Sequence, residues 1–515
     1  VGRIYLDNNP YETEVAQDWK YLVNPSEATP DDLILRYDDL TDLRLADLAC
    51  GSGHILGEMF DMLYTLYINE GYSRREAIEH IFRRNLTGID IDTRAKQLAQ
   101  FALLLKACQR DASFADCHCM PRVLDMPKAG LPLPADTRLA NEIEAINKTL
   151  ADADTLGSIM KFSLSLAARE WVASLEEENE TAQLVLALTD KYAALIANPP
   201  YMGRGNMNST LTAYLDKNYP IAKQDLFATF MQMMIERTQD KGRCAFITME
   251  SWMFLSSFEK LRHYIIDNYY ISSLGHFGWH IIGIAFGTAM TVIEKNKDYG
   301  RIGEYSYLTI DDIDRSKNVP FVFPKKDNGR FAHVSQQNFE KIPGCPIGYW
   351  VSEKMIKAFD NPTIREITIS DGQTKTGDNN KFLREFWEIS SFKVGKDKKW
   401  IFYAKGGGFR RWYGNLTTTI NWSEEARGFY RKDKIARILP EYLWWKRGIT
   451  WSYICSAIPS FRILPEQAIF DVGGSSVFFK DENDINNVLA FLNTGLTYYI
   501  LKLFNPTINY QVADI

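Results

Sequence analysis

Three short stretches group polar side chains in a way that could carry chemistry. Asn198-Pro199-Pro200-Tyr201 follows the apolar run Ala193-Ala194-Leu195-Ile196-Ala197. The run reads as a short buried strand, and the two prolines end it. Prolines hold φ near about −65° and donate no N–H, so the turn is stiff and its carbonyls stay free to accept. An amide oxygen, a free carbonyl and a phenol ring at a strand end could grip an amino group beside a stacked ring. The second stretch, Ala46–Phe60, reads ADLACGSGHILGEMF. A strand there ends at Asp47, and Gly51-Ser52-Gly53 opens a helix, so the backbone can approach a ligand closely. The third, Asn85–Asp92, reads NLTGIDID and ends a second strand in acids.

These stretches together suit a nucleoside ligand. A dinucleotide site asks for G-x-G-x-x-G. Here the next glycine is Gly57, one position late, which disfavours a dehydrogenase. A turn with two glycines after an acid fits S-adenosylmethionine better, since that molecule has no pyrophosphate. Asp47, Ala49, Cys50, Gly51 and Gly53 would form the cofactor turn. Asp90 would accept from the ribose hydroxyls, and Ile91 would pack on the adenine. Asp125, in RVLDMP, ends a possible third strand and could accept from the adenine amino group; as a loop carboxylate it would do nothing of the kind.

The elements needed to position these residues can be read along the chain. Strands are expected at Leu45–Leu48, Leu86–Ile91, Ala193–Ala197, Arg243–Thr248, Ile271–Phe277 and Thr288–Ile293, with helices such as Ile55–Asn69 and Arg94–Cys108 between them. That alternation argues an α/β fold, Rossmann-like, with helices covering a parallel sheet. Residues 43–300 would form this domain, with a helical insertion at about 136–189. Residues 301–348 read as a linker, continuous with a loop-rich join beginning near Asn296. Residues 349–515, rich in Trp, Tyr, Gly and Lys, read as a mixed α+β domain. Residues 1–42 have too little apolar periodicity for a domain and read as a remnant of an N-terminal region, and the absence of an initiator Met suggests sequence lost upstream.

Composition narrows the function classes. The chain has 515 residues, a 46% hydrophobic fraction and seven scattered cysteines. It has no apolar run of the roughly 18–20 residues that span a membrane, so a cytoplasmic location and no membrane partner are expected. No Cys/His spacing predicts a metal site; Cys117-His118-Cys119 lacks a second pair. Net charge is −6, yet residues 391–450 hold 14 Lys and Arg against 5 Asp and Glu. The balance comes from acidic stretches such as Glu176-Glu177-Glu178. Trp400, Tyr403, Trp412, Tyr413, Trp444, Trp445 and Trp451 are interleaved with the basic residues. Cations hold phosphates and rings stack on bases, so this block predicts nucleic-acid binding, with Lys405, Arg410, Arg411, Trp412, Lys446 and Arg447 as contacts.

The order of strand–acid–GxG–helix, strand–acid and strand–Asn-Pro-Pro-Tyr resembles the amino-group DNA methyltransferases. LACGSGHIL, GIDIDTRAKQLAQFAL, NPPYMGRG, KQDLFATF, KTGDNNKFLREFWE, KGGGFRRWYGN, FDVGGSSVF and NPTINYQVADI look like the PglX-type adenine methyltransferases of BREX phage-defence systems. The resemblance implies an S-adenosylmethionine-dependent methyltransferase domain followed by a target-recognition domain. It implies methylation of adenine N6 in double-stranded host DNA, together with other BREX components. It assigns Asn198, Pro199, Pro200 and Tyr201 to catalysis, and it adds Asp225 and Phe227 to the cofactor pocket. Two departures stand out: the family's Asp-Pro is Asp47-Leu48 here, and the family's region before the cofactor turn is not in this sequence. Two rival readings remain. Protein-glutamine methyltransferases share the tetrapeptide but lack a large basic block. A DNA-recognition subunit with an idle site has no need of Asp47, Asp90 and Asn198–Tyr201.

Overall fold

The structure is a computed structural model, and residues 1–24, 28–177, 179–296, 300–505 and 507–515 are described. Glu178, the last of the acidic run, and residues 297–299 of the expected join lie outside the described residues. The chain divides into two compact units, Val1–Trp350 and Val351–Ile515.

The first unit is built on one nine-stranded sheet. Its first eight strands are β1 (Leu45–Asp47), β2 (Leu86–Ile89), β3 (Val123–Leu124), β4 (Tyr192–Ala197), β5 (Thr238–Met249), β6 (Tyr270–Phe277), β7 (Thr288–Glu294) and β8 (Ile302–Leu308). Two short strands, β9 (Ile313–Asp314) and β10 (Val319–Pro320), pair separately, and β11 (Phe331–Ser335) closes the large sheet. The order is β11-β8-β6-β7-β5-β4-β1-β2-β3. Strands β1 to β5 run parallel, while β7 is inserted antiparallel between β5 and β6. The order reverses at β1, which lies between β2 and β4. In open α/β sheets this switch point, at the carboxyl ends of the strands, is where ligands bind.

Apolar faces explain the packing. Helix His54–Asn69 buries Leu56, Met59, Phe60, Leu63 and Leu66 against one side of the sheet. Helix Leu226–Arg237 is buried along almost its whole length on the other side, in the core that includes Leu195, Ala197, Cys244 and Phe246. The N-terminal segment is docked rather than loose. Helix Gly2–Asn8 buries Ile4, Tyr5 and Leu6, and Asp7 meets Arg243 of β5 at 2.8 Å.

Two expectations need correction. Residues 301–348 are not a linker, because β8 and β11 extend the main sheet. The signal was hidden by polar residues inside β8: Glu304 is buried, and His333 of β11 meets it at 3.1 Å. The stretch 136–189 is indeed helical, with helices at Thr137–Leu150, Ala153–Leu156, Leu166–Ser174 and Glu180–Thr189. The last of these is nearly all buried, packs against β3 and leads into β4, so it is the crossover helix and not part of an insertion.

The second unit holds two four-stranded sheets. One is ordered β12 (Thr368–Ile369), β19 (Ser476–Phe479), β16 (Gly448–Trp451), β17 (Phe461–Leu464). The other is ordered β13 (Leu383–Glu385), β15 (Thr418–Asn421), β14 (Trp400–Ala404), β18 (Ala468–Phe470). Helices Asp484–Leu492 and Gly495–Phe504 complete an α+β unit. No helix among the described residues is long and apolar enough to cross a membrane.

Candidate active site

The residues singled out at strand ends meet at the switch point. Asp47 closes β1, is 1% exposed, and accepts from the Ala49 N–H at 3.0 Å. Burial pushes its carboxyl up to about 7; the Ala49 N–H opposes the shift and the Asp90 charge adds to it. Asp90 follows β2 and accepts from the Gly51 N–H at 2.8 Å and the Asp92 N–H at 3.0 Å. The second acid therefore holds the glycine turn of the first strand in place. Cys50 ties the same turn to β2 through its N–H to the Ile89 carbonyl, at 3.0 Å.

The two glycines have different duties. Gly53 has φ +85°, and a Cβ there would stand 2.9 Å from the Ala99 backbone, so it lets helix Thr93–Arg110 pack closely. Gly51 has φ +52°, and a Cβ there would meet nothing within 4 Å. Its turn therefore presents bare backbone to open space, which is the surface a nucleoside ligand needs. Ile91 is half exposed beside it, and Gly157 faces Ile91 with 3.5 Å between its would-be Cβ and Ile91 Cδ1. Asp125 sits at the end of β3 but is engaged: Thr93 donates to one oxygen at 2.6 Å and Lys96 to the other at 2.7 Å. Burial would raise its pKa, but these two donors outweigh that and hold it below the usual carboxylate value. With both oxygens engaged, Asp125 is not a free acceptor for an adenine in this structure.

The Asn-Pro-Pro-Tyr loop leaves β4 at the same end of the sheet. Asn198 is exposed and Pro199 is buried. The Tyr201 hydroxyl donates within reach of both Asn198 Oδ1, at 3.2 Å, and the Ile247 carbonyl, at 3.1 Å. Its ring stands edge-on to Phe227 and Phe286, with centroids at 6.1 and 5.6 Å. Burial, helped by the Asp225 charge, pushes the phenol up to about 12, so it stays a donor. Asp225 caps helix Leu226–Arg237 and clamps the loop. It accepts from Phe227 N–H at 3.3 Å and Met202 N–H at 3.1 Å, while Leu226 N–H donates to the Met202 carbonyl at 3.0 Å.

Several residues here escaped the sequence reading. Ser158 donates to the Leu48 carbonyl at 2.6 Å, and buried Arg237 holds the Ser158 and Met160 carbonyls, so a segment between helices is pinned to the end of β1. Glu250, just past β5, meets His276 of β6 at 2.6 Å, and His276 meets Tyr349 at 3.0 Å. Only Ser158, an isolated polar residue between Leu156-Gly157 and Ile159-Met160, could have hinted at the first of these contacts. A cavity of about 560 Å³ also lies between Trp19–Val23, the helix His54–Asn69 and the sheet, but none of the site residues lines it.

In the second unit the basic block divides. Arg410 is exposed, Arg411, Lys446 and Arg447 are half-buried, and Lys405 is paired with Asp471 at 3.0 Å. Trp412 and Tyr413 are 49% and 79% exposed. Tyr403 and Trp451 instead belong to the cores, because each lies on an inward-facing position of a strand. They offer no stacking surface.

Comparison with known proteins fits this geometry. Residues 84–281 match the family described as Eco57I restriction-modification methylase. The chain is 33% identical to the adenine-specific methyltransferase PglX of Lacticaseibacillus casei (strain Zhang), over 98% of this chain and 46% of the relative. The likeness to PglX-type methyltransferases runs the length of the chain. It is also 30% identical to the adenine-specific methyltransferase BrxX of Escherichia coli O9:H4 (strain HS), over 100% of this chain and 47% of that one. The chain thus spans less than half the length of the PglX and BrxX relatives it matches. Among solved structures, the Type IIL restriction-modification enzyme MmeI, in complex with DNA, shares the fold with a TM-score of 0.51 and 14% identity, over 92% of this chain and 61% of that one.

Proposed function

We propose that the chain is the catalytic and recognition part of a site-specific DNA methyltransferase that modifies adenine N6 in duplex DNA. The reading includes S-adenosylmethionine as methyl donor, a cytoplasmic setting and a role in marking host DNA alongside other BREX components. The observation that carries it is the meeting, at one sheet switch point, of the Asp90-held glycine turn and the Asp225-clamped Asn-Pro-Pro-Tyr loop.

S-adenosylmethionine, seated on Ala49–Gly53 with its ribose toward Asp90, would supply an electrophilic methyl group. The protein's own task is the amine. An adenine amino nitrogen is a weak nucleophile because its lone pair is spread into the ring. The Asn198 side-chain oxygen and the Pro199 carbonyl can accept its two hydrogens and favour a pyramidal nitrogen. The Tyr201 hydroxyl, 3.2 Å from Asn198 Oδ1, fixes which way that amide points. A base can reach the site only when turned out of the duplex, and the Tyr201 ring offers it a face. The work is positioning and polarisation by groups already held in place.

The deciding experiment is Asn198→Ala. Methyl transfer from labelled S-adenosylmethionine to duplex DNA should fall by about 10²–10³-fold or more, as when one preorganised hydrogen-bonding group is removed. Cofactor affinity by calorimetry should stay near wild type. Undiminished methylation would sink the catalytic assignment. A wild-type chain that binds DNA but neither binds cofactor nor transfers methyl would support the recognition-subunit reading instead.

A further inference from the structure

The second unit buries a cation for which the described residues provide no anion. Arg462 lies on β17, an edge strand, and is 0% exposed. Its guanidinium has one long contact, from Nη1 to the Ser460 carbonyl at 3.4 Å, while Nε and Nη2 have no acceptor. The register sets Thr450 opposite Arg462 and Ser476 opposite Thr450. Both hydroxyls are buried and donate to backbone carbonyls in Gly474 and Ser475, so neither supplies negative charge. Desolvation alone pulls the guanidinium down to about 10. An unpaired buried charge is among the costlier features a fold can carry, and it persists only with some return.

What lies along the free edge of β17 is a strap, residues Lys405–Asn415. Trp412 N–H donates to the Phe461 carbonyl at 3.0 Å, Ile463 N–H donates to the Trp412 carbonyl at 2.9 Å, and Arg410 N–H donates to Ser460 Oγ at 3.2 Å. These bonds pair the strap with the residues flanking Arg462. The strap is bent through Gly406, Gly407 and Gly414, all with positive φ, and Trp412 itself has φ +77°. That region suits glycine and is unfavourable for a bulky side chain. Outward, the strap shows Phe409, Trp412 and Tyr413 to solvent beside Arg410. Arg411 Nε is a further buried donor with no acceptor among the described residues. A strained strap is thus paired with the backbone on either side of an unpaired cation, and it carries rings and charge exposed to solvent.

We propose that Arg462 is a phosphate contact for duplex DNA, and that the strap Lys405–Asn415 covers it until DNA lifts the strap from β17. The inference rests on reading residues 351–515 as the DNA-recognition unit. Opening relieves the Trp412 conformation and gives the guanidinium a phosphodiester, a charge-assisted partner of matching geometry. Without DNA, opening would only expose the edge of β17, so the strap stays shut.

Binding of the 515-residue chain to a fluorescent duplex, measured by anisotropy over a series of salt concentrations, tests this with Arg462→Met. At about 100 mM salt the variant should bind about tenfold more weakly, and the slope of log K against log salt should be shallower by about one, the mark of one lost phosphate contact. Its thermal midpoint should equal or exceed wild type, because an apolar side chain replaces an unpaired buried charge. A lowered midpoint with an unchanged salt slope would mean a structural arginine and overturn the proposal. Hydrogen exchange on the wild-type chain gives a reading that does not depend on the variant folding. The Trp412 and Ile463 amides should exchange faster when the duplex is added. Binding without loss of their protection removes the strap inference alone. A wild-type chain that binds no duplex at all removes the recognition reading with it.

Discussion

The turn after β1 and the strap before residue 416 both bend through left-handed glycines, yet they leave their charges in opposite conditions. In the first unit, Asp90 accepts two backbone N–H groups, and Asp225 accepts two more. These acids shape the site before anything binds. In the second unit, Arg462 and Arg411 keep donors for which the described residues offer no acceptor, and Arg410 stands exposed. A site for chemistry gains from groups fixed in advance, because reorganisation during reaction is costly. A surface that must meet a long polyanion gains from cations still free to pair. Among the acids of the first unit's site Asp47 is the exception: it is buried, close to Asp90, and has one backbone donor. It resembles the second unit's buried arginines, with the sign reversed.

That exception supplies the prediction with the largest effect. Because the folded-state pKa of Asp47 is raised to about 7 from 3.8, the folded protein keeps a proton that the unfolded chain gives up. The effect on stability is nil below about pH 4, and stability is lost as pH rises from there through 7. A tenfold change in proton affinity is worth about 1.36 kcal/mol, so the whole loss is on the order of 4 kcal/mol. Asp47→Asn should flatten the fall in thermal stability of the ligand-free protein between pH 4 and 8. In the reading above, the positive charge of S-adenosylmethionine favours the ionised acid, so adding it should shrink the pH dependence in wild type and not in the variant. Identical pH profiles for the two proteins would show that Asp47 is as settled as Asp90.

The contrast sharpens at Asp90. Asp90→Ala removes the acceptor of the Gly51 N–H and, in the reading above, of the ribose hydroxyls. Leaving such partners unpaired costs roughly 1–3 kcal/mol, so calorimetry should find S-adenosylmethionine bound roughly 5- to 150-fold more weakly. Asp90→Asn keeps one oxygen and should lose less. Unchanged affinity in the alanine variant would remove Asp90 from the cofactor site and leave it a turn anchor only.

How far the sequence spoke depends on where each signal sits. The Ala193–Ala197 run, the Gly51–Gly53 turn and the acids at Asp47 and Asp90 were legible because strand ends, turns and prolines impose local rules. Gly53 illustrates the limit. Its presence marks a turn, but its need to clear the Ala99 backbone belongs to packing between distant segments. β8 was misread because its buried Glu304 and Ser306 break the apolar pattern of a covered strand. The aromatic count in the basic block misled for the reverse reason: Tyr403 and Trp451 look like stacking rings in sequence and are core in space. Arg462 gave no signal, since a single arginine in a strand is ordinary until its surroundings are known.

The last prediction tests whether cations in the second unit are as free as they look from sequence. Lys405, Arg410 and Arg411 were equal candidates there. In the structure Lys405 already faces Asp471 at 3.0 Å, whereas Arg410 is exposed and makes no ion pair among the described residues. A cation neutralised by a carboxylate displaces few counterions from DNA, while an unpaired one displaces about one. Arg410→Ala should therefore weaken duplex binding several-fold and flatten the salt slope by about one, if its contact is to a phosphate. If Arg410 reads a base edge instead, one position of the target motif should relax with a smaller change in slope. Lys405→Ala should change both by less, because its charge is already offset by the part-buried Asp471 carboxylate, and losing a neutralised cation leaves the slope nearly intact. Asp471→Ala, measured beside them, should bring Lys405 into play and steepen the slope. Should Lys405→Ala flatten the slope as much as Arg410→Ala, the ion pair to Asp471 is broken in the DNA complex, and the block acts as one cationic field in which the pairing seen without DNA has no consequence.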